Sequence, residues 1–158
     1  MIHVADLRLV RLIALGKKTT HRFPAKYKAG TNTVTNPKIR PGIIHKVYAR
    51  APFGRDGDPN AEPLLLVMVR SVDLDVLCDT TLEDAKSEGF ASLETFVAYW
   101  DKKWASKSVS YHAHMYHPVW VVQFELKEIL PAGKKIIDQL EKKSKRKKKQ
   151  MQRRSFSD

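Results

Sequence analysis

Six consecutive apolar residues, Leu64 to Val69, constrain this chain more than any other segment. The run is far shorter than the roughly 20 residues a membrane-spanning helix needs. It reads instead as a strand buried on both faces, so the fold must supply apolar cover on each side of a sheet. This strand is expected over Leu64–Val72, and a second over Ile43–Arg50, behind the turn Arg40-Pro41-Gly42. A polar segment containing Gly and Pro, Pro52–Pro63, separates them, which predicts an antiparallel hairpin.

The flanking sequence supplies the cover. Ile2–Val4 reads as a short strand, after which Asp6 can cap a helix with Leu9, Val10, Ile13 and Ala14 at helical spacing and Gly16 at its C′ position. Lys18–Phe23 is the next strand, closed by Pro24, and a polar loop to Pro41 carries Lys26, Lys28, Lys38 and Arg40, placed to fold over a ligand. Thr80 and Glu83 have capping-box spacing for a short helix ending near Glu88 and Gly89. Ser92 caps another, whose inner stripe is Leu93, Phe96, Val97 and Trp100, with Trp104 near its end. Pro118–Leu126 is a final apolar strand, and Ala132–Leu140 can be helical. The order predicts a small α+β domain over residues 1–130 with a mixed or barrel-like sheet and flanking helices, followed by a basic tail over 131–158.

Charge gives the first indication of function. The net charge is +12, and 11 basic against 3 acidic residues fall in Pro131–Asp158. From Lys142 to Lys149 the chain is almost unbroken Lys and Arg, a block that repels itself and is not expected to fold alone. Such a tail suits a polyanion, and it also has the form of a nuclear-localisation signal. The single cysteine, Cys78, cannot pair within the chain, which points to a reducing compartment. Charges interrupt Leu7–Leu15, so no signal peptide is read, and a soluble cytoplasmic protein without membrane contact is expected, nuclear if eukaryotic.

Within Gly16–Arg22, strand alternation puts Lys18, Thr20 and Arg22 on one face and Thr19, His21 and Phe23 on the other. A lysine, a hydroxyl and an arginine in a row suit phosphate or polar base edges. A solvated basic edge strand is the plainer reading of the same residues.

Three separated segments together resemble the ASCH domain family, a β-barrel related to the PUA RNA-binding fold. Ile13-x-x-Gly16-x-Lys18-Thr19-x-x-Arg22 is similar to the family's Gly-x-Lys-Thr-x-Thr-Arg signature. Arg40-Pro41-Gly42 is similar to its Pro-Gly turn. Glu88-Gly89-Phe90, followed by Ser92, Phe96, Trp100 and Pro118 to Phe124, completes the pattern in the family's order. The resemblance implies a cleft for RNA or modified nucleosides beside the Gly-x-Lys-Thr motif. Small bacterial members cleave N4-acetylcytidine with a Lys, a Thr and a Glu, and another member is described as a ribonuclease. By motif position these roles fall on Lys18 and Glu88, with either Thr20 or His21 at the threonine position and Thr20 favoured by alternation.

The expectation is therefore an RNA-binding protein, with a hydrolase of RNA or of modified nucleosides as the alternative. The catalytic set would be Lys18, Thr20 and Glu88, and the nucleic-acid contacts Lys17, Lys18, Arg22, Arg40, Lys145, Arg146, Lys147, Lys148 and Lys149. The tail could also attach the chain to a ribonucleoprotein or viral assembly. No cofactor is implied. His112, His114 and His117 match no zinc spacing, so no metal is expected, and with Tyr111 and Tyr116 they read as a polar loop or stacking patch. Trp100 reads as core and Trp104 and Trp120 as the more exposed indoles, while Cys78 lacks an activating setting.

Overall fold

The structure is a computed structural model that describes residues 2–3, 6–49, 58–104 and 116–154. The strands are β1 (Ile2–His3), β2 (Thr20–Pro24), β3 (Ile44–Tyr48), β4 (Leu65–Val76) and β5 (Pro118–Ile129). The helices are α1 (Leu7–Ala14), α2 (Leu82–Ser87), α3 (Leu93–Trp104) and α4 (Pro131–Arg154), with a 3-10 turn at Leu77–Asp79. The sheet order is β1-β3-β4-β5-β2. Only the β1–β3 pair is parallel, so the sheet is mixed and its two longest strands lie at the centre.

Alternation along β5 divides the core in two. Val122 and Phe124 join Val67, Val69, Val47 and Ile2 under α1, which contributes Leu9, Val10 and Ile13. Val119 and Val121 point the other way, to Phe96 and Trp100 of α3 and Ala85 of α2. The apolar run of β4 thus gains cover from α1 on the face of Leu65, Val67 and Val69, whereas Leu66 and Met68 on the other face are only half-buried, so the expected burial on both faces is met on one. Because α1 connects the two strands at opposite edges of the sheet, it packs across the interior between them.

The hairpin of β3 and β4 pairs as expected, with Ile44 opposite Met68 and Val47 opposite Leu65. Two features depart from expectation. The capping box of α2 is set one residue later, because Thr81 accepts from the Asp84 backbone N–H while the Asp84 carboxylate accepts from the Thr81 N–H. Thr80 is taken up by the preceding 3-10 turn, where its hydroxyl donates to the Leu77 carbonyl. The basic block, expected not to fold alone, continues a helix begun by Pro131. Ala132 and Ile136 pack on the core, so the costly first turn is already formed when the Lys and Arg residues, good helix formers, are added.

Trp100 is buried, as expected. Trp104 and Trp120 are only half-buried: Trp104 packs against the second core, and the Trp120 indole donates to the Thr35 carbonyl. Among the described residues no helix is long and apolar enough to cross a membrane.

Candidate functional site

Two helix endings deliver the central pair of the site. At the end of α1, Gly16 has φ +67°, and the Gly16 and Lys17 N–H groups donate back to Ile13 and Leu12 carbonyls. At the end of α2, Gly89 has φ +89°, and the Gly89 and Phe90 N–H groups donate to Lys86 and Ala85 in the same pattern. These are paired Schellman closures, which need a residue able to adopt a left-handed conformation. One sends the chain into Lys18. The other leaves Glu88 at the C-cap, with its carbonyl free to accept from outside the helix.

Lys18 and Glu88 meet in the interior, their side chains 0% and 4% exposed. The Lys18 ammonium donates to the Thr20 carbonyl at 2.5 Å, the Glu88 carbonyl at 3.1 Å and Glu88 Oε2 at 3.3 Å. A lysine has three donors, and here each has an acceptor. Burial pushes the Lys18 pKa below its ordinary value, and the Glu88 charge opposes that shift without cancelling it.

Arg22, on the Thr20 face of β2, completes the network. Its Nη1 lies 3.3 Å from Glu88 Oε1, and its Nη2 lies 2.9 Å from Asp84 Oδ1 and 4.0 Å from Asp75 Oδ2. The register explains the convergence: Arg22 stands opposite Val121, which stands opposite Asp73, so Asp75 lies diagonally on that face. The two buried cations are therefore matched by Glu88 and Asp84, with Asp75 at the margin. Burial alone would raise the Asp84 pKa, but hydrogen bonds from Thr81 and Arg22 outweigh it and hold the carboxyl below its usual range.

Above this network opens a cleft of about 370 Å³, lined by Thr19, Thr20, Arg70, Glu83, Asp84, Ser87, Val121, Gln123 and Phe124. Thr20 pairs with Gln123 and lines it. His21 pairs with Val122 on the opposite face and stacks near Phe23, with ring centroids 6.1 Å apart. Of the two residues open for the threonine position, Thr20 is the one at the cleft.

The other predicted contacts are dispersed. Lys17 is exposed just past α1, and Arg40 is exposed at the distant turn, outside the cleft lining. Lys145 and Arg146 are exposed on α4, while the side chains of Lys147, Lys148 and Lys149 lie outside the described residues. Leu7 of α1 shares a pocket with Ala132 and Ile136 of α4, and Arg11 lies 3.7 Å from Glu141. The two helices therefore run in the same direction, and the basic half of α4 emerges past the end of α1 that carries Lys17. His112, His114 and Tyr111 lie outside the described residues, and the His117 ring is 3.1 Å from the Ala25 carbonyl.

Four residues escaped the sequence reading: Asp75, Asp84, Gln123 and Arg70. Asp75 and Gln123 sit on alternating strands, but only the register tells which face they share. Arg70 has a faint sequence signal, because it separates a continuous apolar run from the alternation Ser71-Val72-Asp73-Leu74.

No protein-family model and no curated protein matches the chain. Solved structures that resemble it include the following two. A protein from Enterococcus faecalis V583, of family DUF984, has a TM-score of 0.53 at 17% identity over 78% of this chain and 72% of its own. An ASCH domain from Lactobacillus crispatus JV V101 has a TM-score of 0.51 at 16% identity over 78% of this chain and 75% of its own. The fold is the ASCH-domain fold.

Proposed function

We propose that this protein binds RNA, seating an unpaired base in the cleft between Thr20 and Gln123 and holding the backbone with the cationic half of α4. The observation that carries this reading is the cleft itself. Its walls offer hydroxyl, amide and carboxylate groups from Thr19, Thr20, Ser87, Gln123 and Asp84, and Val121 and Phe124 give it an apolar part. Sequence-specific RNA recognition favours single strands, whose splayed bases can enter such a site. Lys18 and Arg22 fix the shape of the cleft, since their charges are already met by Glu88 and Asp84. Phosphate contacts fall to exposed cations, with Lys142, Lys145 and Arg146 on α4 and Lys17 beyond α1. The same charges would attach the chain to a ribonucleoprotein or viral assembly.

Fluorescence anisotropy with single-stranded and duplex RNA tests this. Single strands should bind more tightly, and Thr20→Val with Gln123→Leu should weaken them about tenfold. Equal affinity for both forms, unchanged in the variant, would reject the base-binding cleft.

A hydrolase acting on RNA or a modified nucleoside is the second reading, and one observation favours it. Lys18 is buried with its charged form disfavoured, next to a carboxylate able to take its proton. Incubation with N4-acetylcytidine and with labelled RNA distinguishes the two readings. Turnover lost in Lys18→Ala and Glu88→Ala variants that remain folded supports catalysis, and no conversion of either substrate removes it.

A further inference from the structure

Two irregularities in the central strand pair each set one cation out of register. Val69 pairs with Phe124 and Ser71 with Gln123, which leaves Arg70 as an extra residue in β4. Leu66 pairs with Glu128 and Val67 with Leu126, which leaves Lys127 as an extra residue in β5. Such bulges re-aim side chains, and they are enriched beside functional sites. Here both cations turn to one carboxylate: Arg70 meets Glu125 Oε2, with its Nε at 2.9 Å, and Lys127 meets Oε1.

Among the described residues Arg70 is also the sole cation in the cleft lining, and its side chain is 58% exposed. The cations beneath the cleft, Lys18 and Arg22, are buried and already paired. The carboxylates of the lining, Glu83 and the Arg22-paired Asp84, come from α2, so the cleft has its cation on β4 and its acidic groups on α2. A neutral nucleoside has no group that needs that cation. A nucleotide does.

We infer that Arg70 is the phosphate-binding residue of this cleft, and that the ligand is a nucleotide unit, its phosphate at β4 and its base directed to α2. The inference rests on the base-binding reading of the cleft and adds the class of ligand. Releasing Arg70 costs little, because an exposed ion pair is weak and Lys127 stays on Glu125 to keep that carboxylate paired. A guanidinium fork suits phosphate oxygens better than any other side chain in the lining.

The test measures binding of the four ribonucleosides, their 5′- and 3′-monophosphates and a short single-stranded RNA to the full chain by calorimetry. The wild-type protein should prefer a monophosphate to its nucleoside by about tenfold. Arg70→Gln should erase that preference while leaving nucleoside affinity unchanged, and Lys127→Gln should retain it. Where mononucleotides bind too weakly to measure, an Arg70-dependent loss of about tenfold on the RNA assigns the contact to a strand phosphate. Preference that survives Arg70→Gln, or that follows Lys127 instead, overturns the inference and leaves the base-binding cleft standing. Failure of nucleosides, nucleotides and RNA alike to bind removes both.

Discussion

Lys18 Nζ and Glu88 Oε2 lie 3.3 Å apart in the interior, contributed by segments 70 residues distant in the chain. The two partners are not equivalent. Glu88 also holds Arg22, whereas Lys18 also has the Thr20 and Glu88 carbonyls.

This asymmetry orders two substitutions. Glu88→Gln withdraws the counter-charge from two buried cations and should cost about 3–5 kcal/mol, the range for breaking a buried ion pair from one side. Lys18→Met leaves Glu88 paired with Arg22 and removes a charge whose burial is unfavourable, so it should cost about 2 kcal/mol or less. Urea denaturation of the two variants checks the order. Equal losses would mean that Arg22 does not hold Glu88.

Acid should weaken the same network through Asp84. Its folded-state pKa lies below the ordinary value, so the unfolded chain takes up the proton more readily as pH falls. The stabilisation is complete above the ordinary carboxylate range and is lost as pH drops through the folded-state value. Asp6, lowered by its hydrogen bonds with Arg8 against the effect of burial, adds a term of the same sign. Denaturation midpoints measured from about pH 6 to about pH 3 should therefore fall, and Asp84→Asn should flatten part of that fall. An unchanged slope in the variant would exclude Asp84 as a contributor.

Much of this arrangement is legible in the sequence. Gly16 and Asp6 mark the ends of α1, the apolar run marks β4 as an interior strand although only one of its faces is fully covered, and alternation places Thr20 with Arg22. The burial of Lys18 and Arg22 is not legible. It depends on carboxylates from β4 and α2, which reach β2 only through the sheet register and the Gly89 closure. The two threonines at 80 and 81 each have an acidic residue three positions on, and the 3-10 turn decides between them. The bulge at Arg70 leaves only a faint trace, the change there from a continuous apolar run to alternation, which does not tell which strand carries the extra residue.

Gly89 should be the less replaceable of the two closure glycines. Both have positive φ, for which alanine costs about 1 kcal/mol. A Cβ at Gly16 meets nothing within 4 Å, whereas one at Gly89 comes within 2.7 Å of Leu12 Cδ1 and 3.5 Å of Lys18 Cβ. Gly16→Ala should therefore cost only the backbone term. Gly89→Ala should cost about 2–3 kcal/mol, by adding overpacking. Thermal denaturation of the two variants compares them directly, and similar losses would show that Leu12 yields without strain.

The cationic half of α4 should govern the salt dependence of RNA binding. Nine Lys and Arg residues lie between Lys142 and Arg154, and the helix is anchored upstream by Ala132 and Ile136, so removal of residues 141–158 leaves the docked turns in place. Each phosphate neutralised on a single strand contributes about 0.7 to the slope of log K against log salt. If about half of these cations engage phosphates, truncation should lower the slope by about 3 and weaken binding at low salt by a factor of roughly 100 or more. Thr20→Val and Gln123→Leu should reduce affinity less and leave the slope unchanged, because hydrogen bonds to a base release no counterions. Anisotropy titrations across a salt series separate the two effects. A truncated chain with the wild-type slope would assign the electrostatic contact to other exposed cations, Lys17 and the loop residues Lys26, Lys28 and Lys38 among them.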